Sequence, residues 1–425
     1  MGELIVVDYR DERLPRLLQR PYNIAEYVEK VAPIVRDVAS RGLEALKEYS
    51  RRFDGVEPKY VVMDADEAWP LAKNVEPRVL TALRRAIEAV EAFNRMLYEE
   101  LASKPSSFEW KGVRYTPLSR PLRSIGAYVP GGQHPYPSTA VMTVVPARVA
   151  GVERIVVATP PVREGELAGL PNPLVVAAAL LAGADEILVA GGAQAIAALA
   201  YGIPEVLEPV DKIVGPGGPY VEAAKLLVVD RVGIDMVAGP SEVAVLADGK
   251  ADPKRVALEM LSQLEHGPLS MALLVTNSTW LVDVVKQLIE KHVEAENMGR
   301  AVIVRVDTLE RGLKIIDDFA PEHLYIEAEN GEKLAKRVKN AGLVSVATPT
   351  ALTDYAAGPS HVLPTGGYAR IRGGLTPLDF LRYSVVVAGR PDPRLVNAAL
   401  ALAEAEGFRW HAEALRYLLL GLTEG

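Results

Sequence analysis

The sequence predicts an α/β protein with two Rossmann-like domains, each containing a parallel sheet, together with helical N-terminal and C-terminal segments. Short runs of β-branched and apolar residues alternate with stretches of helical pattern over residues 123–245, and the alternation returns over residues 246–378. Near-continuously apolar strands separated by helices are typical of parallel sheets covered on both faces. The chain has 425 residues, which is more than one compact core usually contains.

The first alternating block contains the more regular of the two patterns. Its apparent strands are residues 125–129, 154–159, 186–191, 212–215 and 243–248. Its apparent helices are rich in small residues and cover 138–151, 173–183, 193–202 and 219–231. This order of strands and helices is typical of successive βαβ units.

A second block of similar build follows the first. Its apparent strands are residues 272–277, 301–307, 323–328 and 343–347. Helices are predicted around 279–297, 308–319 and 331–341. The similarity of the two blocks suggests a duplicated unit, although no residue-level repeat is visible.

The remaining segments set the expected domain boundaries. Residues 1–22 form an N-terminal segment, and residues 23–122 join residues 246–378 in a first, discontinuous domain. Residues 123–245 form the second domain, in which we expect a nucleotide site. The first 120 residues are mainly helical, end in a short strand pair near 108–116, and are expected to pack onto the second block.

Composition excludes several classes of protein and of site. A formal net charge of −8 disfavours a nucleic-acid-binding protein, because phosphate contacts require concentrated Lys and Arg. No apolar run reaches the roughly 18 residues that span a bilayer, and no secretory signal pattern is visible, so we expect a cytoplasmic protein without membrane contact. The chain has no Cys, which excludes disulfides and thiolate metal sites. A bound metal must therefore be held by His nitrogen and by carboxylate or amide oxygen.

The motif SQLEHGP at 262–268 is the strongest local signal for such a metal. It places Gln263 and His266 three residues apart on one face at the end of a predicted helix, which Gly267 and Pro268 terminate. An alternative is a plain helix C-cap, in which His266 interacts favourably with the helix dipole. Because Gln is an uncommon metal ligand, the motif needs support from elsewhere in the chain.

The loop LTDYAAGPSHVLPTGG at 352–367 supplies that support. It carries Asp354 and His361 in a Gly- and Pro-rich connection after a predicted strand. Functional groups are commonly presented on such loops at the C-terminal ends of parallel strands. The alternative makes Asp354 an Asx-turn residue and His361 a surface imidazole.

Glu322 and His323 open another predicted strand, in the sequence PEHL at 321–324. Neighbouring strand residues point to opposite faces, so an adjacent acid–base pair does not normally reach one reactant. At the mouth of the strand, however, Pro321 allows an irregular backbone from which both side chains can reach a site.

The C-terminal tail, residues 379–425, is predicted to be helical and to begin with LDFLRYS. It carries Glu406 and His411, which are five residues apart, or about 500° of helix, and so project in different directions. Such a tail either folds over the body of the protein or reaches a second subunit. Of the other histidines, His292 is expected to be solvated and His134, beside Pro135, to be a loop residue.

Gly-rich strand exits in the first block favour a nucleotide site. They lie at residues 127–132, 190–202, 214–221 and 237–242, and no GxGxxG motif follows the first strand. Glycines let the backbone approach a ligand, and the helix N-termini that follow favour phosphate. The alternative is tight turns between strand and helix, which any doubly wound fold needs.

Taken together, these segments resemble the histidinol dehydrogenase family. The matching motifs, in the family's order from residue 128 to residue 411, are YVPGG, YPSTAVM, GGAQAIAALAYG, VDKIVGPG, AGPSE, SQLEHGP, PEHL, DYAAGPSHVLPT and EGFRWH. The resemblance implies a homodimer with shared active sites, which oxidises L-histidinol to L-histidine with NAD and with one zinc ion per subunit. It implies that His323 takes the alcohol proton and that Glu322 activates a water.

The resemblance also implies the residues of the zinc and ligand sites. The implied zinc ligands are Gln263, His266, Asp354 and, from the other subunit, His411. The implied substrate contacts are Ser241, His361 and Glu406, the last again from the other subunit, together with the zinc ligands and His323. The implied positions near NAD are Tyr128, Gln194 and Gly218. The chain departs from the family where Gly218 and Ser360 stand at positions that often carry Asn.

Two other classes of function stay open at this point. A zinc hydrolase would hold its metal with His266, Asp354 and His411 and activate water with Glu322. It would leave the Gly-rich strand exits unused. A non-catalytic ligand-binding protein with two α/β lobes would need no acid–base pair. The dehydrogenase is the function we expect, because it uses both the Gly-rich strand exits and the acid–base pair.

Overall fold

The computed structural model describes residues 3–102, 106–131, 134–295 and 298–423. Residue 132, the last glycine of the strand exit at 127–132, and the last residues of the predicted helix 279–297 lie outside these ranges. The strands are β1 (Glu3–Asp8), β2 (Val62–Asp64), β3 (Phe108–Trp110), β4 (Val113–Pro121), β5 (Ser124–Tyr128), β6 (Arg154–Thr159), β7 (Glu186–Val189), β8 (Lys212–Val214), β9 (Gly233–Ile234), β10 (Glu242–Ala247), β11 (Met271–Thr276), β12 (Arg300–Arg305), β13 (His323–Glu327), β14 (Leu343–Val346) and β15 (Leu381–Gly389).

The helices alternate with these strands along most of the chain. They are α1 (Leu14–Leu17), α2 (Ile24–Arg41), α3 (Leu43–Tyr49), α4 (Ala65–Ala72), α5 (Pro77–Leu101), α6 (Pro137–Ala150), α7 (Pro173–Ala182), α8 (Gly192–Tyr201), α9 (Pro219–Leu227), α10 (Pro253–Leu264), α11 (Thr279–Ala295), α12 (Leu309–Phe319), α13 (Gly331–Ala335), α14 (Thr350–Tyr355), α15 (Pro393–Ala405) and α16 (Arg409–Thr423). Within the described ranges, none is both long and apolar enough to cross a membrane.

Two six-stranded sheets form the framework of one compact unit, residues 1–96 with 122–380. The first sheet has the order β1-β12-β11-β10-β13-β14 and is entirely parallel. The second sheet has the order β2-β7-β6-β5-β8-β9 and is parallel except for β2. The predicted α/β class with parallel sheets is confirmed.

The two sheets share one topology. In the second sheet the strands from β5 to β9, counted along the chain, lie in the order 3-2-1-4-5, and in the first sheet the strands from β10 to β14 do the same. Each sheet then adds an N-terminal strand beside its third strand, β2 beside β7 and β1 beside β12. This is the order of doubly wound nucleotide-binding sheets, and it supports the duplicated unit expected from the sequence.

Small side chains let the helices of the second sheet approach closely. Helix α8 is buried along almost its whole length, and its Leu199 lies against Gly126 of β5. A Cβ atom at Gly126 would lie 2.8 Å from Leu199 Cδ1. Such uniformly apolar helices belong to the interior of a domain rather than to its surface.

Residues 23–122 were expected to belong to the domain of residues 246–378, but α2 and β2 belong to the second sheet instead. Helix α2 packs on α8 and α9, and its Val31, Val35 and Val38 lie in the core under the second sheet. Strand β2 pairs antiparallel with β7 of that sheet. An amphipathic helix specifies that one face is buried but not which apolar surface covers it, so the sequence alone did not identify the partner.

Two boundaries near the first sheet also differ from expectation. Residues 1–22 are not purely helical, because they contain β1, which pairs with β12. The apparent strand 243–248 was grouped with the strands of residues 123–245, which form the second sheet. In the structure β10 instead lies between β11 and β13, at the centre of the first sheet. All six residues of β10 are buried, and a strand that is apolar on both faces fits the interior of either sheet equally well.

A second compact unit comprises residues 97–121 and 381–425. Strands β3 and β4 form the expected hairpin, which turns at Lys111 and Gly112 in left-handed conformations. The predicted helix at LDFLRYS is wrong from Leu381 onward. Pro377–Phe380 form a short 3-10 helix, but residues 381–389 form β15, which pairs antiparallel with β4 over nine residues. The run Val385–Val387 favours a strand, and the long-range partner β4 provides the hydrogen bonds. Helices α15 and α16 confirm the helical part of the tail.

Candidate active site

A cavity of about 370 Å³ lies in the first unit between the ends of four strands. It adjoins the carboxyl ends of β5 and β8, the neighbours between which the strand order of the second sheet reverses, and the amino ends of β10 and β13. Its lining includes Pro130, Thr139, Pro216, Gly217, Gly218, Ser241, Gln263, His266, Glu322, His323, Asp354 and His361. Ligands of doubly wound sheets bind at such a reversal point.

Gln263 and His266 enter the cavity from the end of α10. The helix begins at the N-cap Asp252, whose side chain accepts a hydrogen bond from Lys254 N, and it ends at Leu264. Gly267, with φ +130°, turns the chain away directly afterwards. Gln263 is buried, and its Nε2 lies 3.5 Å from Asp354 Oδ2. The predicted position of both residues at a helix end is confirmed.

Asp354 lies on the short helix α14, whereas the sequence predicted a loop there. The buried carboxylate of Glu259, on α10, accepts hydrogen bonds from Thr350 N and Thr350 Oγ1 and so fixes the start of α14. This contact brings Asp354 next to Gln263. The isolated turn of helix was not visible in the sequence because six residues are too few to show a helical period.

The carboxylate of Asp354 faces the cavity with unused bonding capacity. Its Oδ1 lies 3.3 Å from His323 Nε2 but is a buried oxygen without a hydrogen-bond partner among the described residues. Burial raises the pKa of Asp354, and His361, His266 and Gln263 oppose that rise. A buried carboxylate oxygen without a donor is an unusual and costly feature, which a cation at this position would satisfy.

Glu322 and His323 lie side by side at the entrance of β13 and both line the cavity. Glu322 Oε2 accepts a hydrogen bond of 2.9 Å from Glu242 N. Burial raises the pKa of Glu322 well above its usual range, and the charges of Glu242 and Asp354 add to the rise. Because β13 begins at His323, Glu322 lies before the regular strand, and the alternation of strand side chains does not separate the two residues.

His323 is a buried and neutral imidazole. Burial, with a further contribution from His266, lowers its pKa to about 3. Its Nδ1 is buried and has no hydrogen-bond partner among the described residues. A neutral ring that holds a free lone pair is suited to accept a proton from a bound reactant.

His361 is bound on both ring nitrogens. Its Nδ1 lies 2.7 Å from the backbone oxygen of Asp354, and its Nε2 lies 3.1 Å from Thr139 Oγ1. Because a carbonyl oxygen only accepts, Nδ1 carries the proton and Nε2 accepts from Thr139. The neighbouring Ser360 donates to Met142 O and so ties this loop to α6, which gives that departure from the family pattern a structural role.

Gly218 and Ser241 line the cavity, whereas Tyr128 and Gln194 do not. Tyr128 Oη accepts a hydrogen bond of 3.0 Å from Gly192 N, and Gln194 Nε2 donates to Asp54 Oδ2 at 3.2 Å. Both side chains are buried, Tyr128 at the end of β5 and Gln194 in the first turn of α8. A Cβ atom at Gly218 would meet nothing within 4 Å, so this position leaves open space beside the cavity.

Glu406 and His411 belong to the second unit, and the cavity is lined by residues of the first. Glu406 follows α15, Gly407 turns the chain with φ +77°, and His411 lies in α16. The break means that the two residues lie on different helices. Both are exposed, as is His292 on α11, while His134 lines a separate small cavity beside the end of β6.

Three donors at the cavity are of the types that zinc accepts. Among the described residues no group of three or more His, Asp or Glu side chains could hold a metal ion. Gln263, His266 and Asp354 nevertheless line one cavity, and Asp354 offers an oxygen without a partner. Zinc accepts nitrogen and carboxylate oxygen in sites of four ligands, so these three donors require at least one more.

The chain was compared with protein families, with curated proteins and with solved structures. The model of the histidinol dehydrogenase family matches residues 18–419. The chain is 41% identical to the histidinol dehydrogenase of Archaeoglobus fulgidus over 403 residues, which cover 94% of this chain and 97% of that protein. It is 42% identical to that of Methanopyrus kandleri over 431 residues, covering 97% and 99%.

The chain belongs to the histidinol dehydrogenase family. The structure of the histidinol dehydrogenase from Elizabethkingia anophelis superposes with a TM-score of 0.88 at 31% identity, covering 99% of each chain. The family is one of oxidoreductases of histidine biosynthesis. Membership does not favour the hydrolase or the ligand-binding protein that the sequence left open.

The structure also contains supporting residues that sequence reasoning missed. Arg20 binds both carboxylate oxygens of Glu242 at 2.7 and 2.8 Å, and Glu242 N holds Glu322. Asp54 reaches the start of α8. No local pattern points to Arg20, because its partner is 222 residues away. The available signal was a charged residue, Glu242, directly at the start of an apolar strand.

Proposed function

We propose that this protein is a zinc-dependent enzyme that oxidises L-histidinol to L-histidine in two steps, with NAD as the hydride acceptor. One observation carries the proposal: the donors Gln263, His266 and Asp354 share a cavity with Glu322 and His323. That cavity adjoins the point where the strand order of the second sheet reverses, which suits a dinucleotide.

Each proposed ligand has residues that would hold it. Gln263, His266 and Asp354, with His411 of a second copy, would ligate one zinc ion per subunit. When bound, zinc would orient the imidazole and amine of the substrate and NAD would take up hydride. The backbone of residues 215–218, with the space beside Gly218, offers a wall for the nicotinamide end of NAD.

His323 is the proposed base of the first oxidation. Its Nδ1 has no hydrogen-bond partner among the described residues, so this nitrogen would accept the alcohol proton of histidinol while hydride leaves the carbinol carbon. Burial lowers the pKa of the ring to about 3, which keeps it neutral but weakens it as a base, so a neighbouring charge must stabilise the imidazolium. Asp354 Oδ1, 3.3 Å from His323 Nε2, would stabilise the imidazolium that forms. The product of this step is the bound aldehyde.

Glu322 is the proposed base of the second oxidation. Burial raises its pKa, so the ionised carboxylate is a stronger base than an exposed one. It would take a proton from a water that adds to the aldehyde carbon, and the hydrate would then lose a second hydride. One water and two NAD molecules are consumed, and the water oxygen enters the carboxylate.

We also propose that the active enzyme is a homodimer with shared active sites. The second unit exposes apolar side chains, which are Val385, Val386, Val387, Leu402, Phe408, Trp410, Tyr417 and Leu420. Exposed apolar surface of this extent is typical of a protein interface. Glu406 and His411 are also exposed on this unit and would be presented to the substrate site of the partner.

The test is NADH formation from histidinol and NAD, followed by absorbance. Activity is expected to disappear with a chelator and to return with zinc. His266→Ala should lower the zinc bound per chain sharply, whereas His292→Ala, on the exposed side of α11, should not. Equal zinc content in the two variants would contradict the ligand assignment, and no NADH from the native enzyme would contradict the function.

A further inference from the structure

A buried charged triad lies directly behind one wall of the cavity. It consists of Glu222 and Lys225 on α9 and of Asp235 after β9, and all three side chains are essentially inaccessible to solvent. Lys225 Nζ lies 2.7 Å from Asp235 Oδ1, 3.3 Å from Glu222 Oε1 and 3.1 Å from Gly215 O. The three donors of the ammonium group therefore meet three acceptors.

The two carboxylates of the triad hold backbone of the cavity wall. Asp235 Oδ2 accepts from Gly215 N at 2.8 Å, and Glu222 Oε2 accepts from Ala238 N at 2.9 Å. Gly215 begins the segment 215–218, and Ala238 lies three residues before Ser241. Pro216, Gly217, Gly218, Ala238 and Ser241 all line the cavity.

Stability alone is a weak reason for such a triad. Burying three charges costs desolvation free energy that the mutual attraction often only offsets, and apolar residues of similar volume are frequently as stable. A charged network does, however, define the positions of the groups that it binds, since every partner must be met with good geometry. Here those groups are the backbone atoms on either side of the cavity wall.

We propose that Glu222, Lys225 and Asp235 are positioning residues for this wall, with one carboxylate on each half. The two halves also meet directly, because Gly217 N donates to Ala238 O at 3.3 Å. Lys225 and Asp235 hold the segment 215–218 at the reversal point of the second sheet, where the dinucleotide binds. Glu222 holds Ala238 and thereby the approach to Ser241, on the substrate side. This inference rests on the proposed use of NAD and histidinol.

The test compares two variants by their KM values. Lys225→Met removes the bond to Gly215 O and should raise the KM for NAD about tenfold, with a smaller change for histidinol. Glu222→Gln keeps an oxygen for Lys225 but turns an amide donor towards Ala238 N, so it should raise the KM for histidinol more than that for NAD. The ratio of the KM for NAD to the KM for histidinol should therefore rise in Lys225→Met and fall in Glu222→Gln.

The exposed pair Lys286 and Glu290, with 3.7 Å between the charged groups, provides matched controls. Lys286→Met and Glu290→Gln should leave both KM values unchanged. If Lys225→Met does not fold, Glu222→Gln alone still tests the positioning role, because it keeps the Lys225–Asp235 pair. A ratio that stays constant, or that moves the same way in both variants, would overturn the positioning role. No NADH from the native enzyme would overturn the proposed function and this inference with it.

Discussion

Glu322 and His323 are neighbours in the chain but have different surroundings, and this difference predicts separate roles. Burial raises the pKa of Glu322 and lowers that of His323. His323→Ala should therefore slow the oxidation of histidinol by roughly 10²- to 10⁴-fold, the usual contribution of a general base. Glu322→Gln should impair the oxidation of histidinal more than that of histidinol. Both half-reactions can be followed by NADH formation from the two substrates.

The control for this pair is the zinc content, which should equal that of the native enzyme in both variants. Glu322 and His323 are not proposed ligands, so a loss of metal would point to a disturbed site rather than to a lost base. Equal losses in the two half-reactions for both variants would contradict the division of roles.

Glu222 predicts a dependence of stability on pH. Burial raises its pKa from 4.5 to about 7, against the opposing charge of Lys225 and with a further rise from Asp235. The folded state thus binds the proton more tightly, so this contribution is fully present below pH 4.5 and is lost as pH rises through 7. The loss is about 3 kcal/mol in the free energy of unfolding. Glu222→Gln should remove this term.

The measurement is urea unfolding of the native protein and of Glu222→Gln at pH 4.5 and pH 8, at equal protein concentration. The difference between them isolates Glu222, because the other titrating groups are common to both. The native protein should lose stability relative to the variant as pH rises. A difference that is the same at both pH values would contradict the raised pKa.

At the scale of elements, the junction of β8 and α9 depends on Gly215. Its φ is +114°, and a Cβ atom would lie 2.2 Å from Tyr128 O in β5. Gly215→Ala must therefore displace the segment 215–218, so it should lower the free energy of unfolding by several kcal/mol (~3) and raise the KM for NAD. Urea unfolding and initial rates measure the two effects.

Gly165 is the matched control, because its φ is +80° and a Cβ atom would meet nothing within 4 Å. Gly165→Ala should lower the free energy of unfolding by only about 1 kcal/mol, the cost of an alanine in the left-handed conformation. It should leave the KM for NAD unchanged. A similar cost for both variants would mean that the close approach to Tyr128 is not what requires glycine at 215.

The elements show which parts of the fold could be read from the chain. Strands β6, β11 and β13 begin within one residue of their predicted starts, because buried β-branched runs bounded by turns have few alternatives. Strand β15 was mistaken for a helix because its start, LRYS, has no strong local preference. Its nine-residue pairing with β4 overrode that weak preference, and no local pattern contains a distant partner.

At the scale of the whole molecule, the proposed exchange of the tail predicts complementation between inactive chains. Mixed dimers of His266→Ala with His411→Ala contain one site with both defects and one intact site. If the subunits exchange freely, half of the dimers are mixed, so about a quarter of the native activity should return. Activity after mixing and native mass spectrometry of the exchange test this.

The matched control mixes His266→Ala with Gln263→Ala, both of which alter ligands in the first unit. Every site of that mixed dimer carries one defect, so no activity should return. No rescue of the first mixture despite proven exchange would mean that the tail completes the site of its own chain. Rescue in the control would mean that Gln263 and His266 of one chain do not serve the same site.

The sequence by itself predicted the α/β class and the two similar blocks, and its local motifs drew attention to several residues that line the cavity. Motifs such as SQLEHGP and PEHL are local, so the helix end and strand entrance that present Gln263, His266, Glu322 and His323 follow from a few neighbouring residues. The absence of Cys limited the metal donors to nitrogen and oxygen. Each of these conclusions depends on short-range rules of backbone geometry or on chemistry of the side chains alone.

The tertiary structure alone decided which surfaces meet. Helix α2 has an apolar face that could cover either sheet, and β10 is apolar enough for the interior of either. Their places depend on shape and packing against residues far along the chain, which a local pattern does not encode. The same holds for Arg20 behind Glu242 and for Lys225 behind Gly215: their charges are compensated only by partners that the complete fold brings within hydrogen-bond distance.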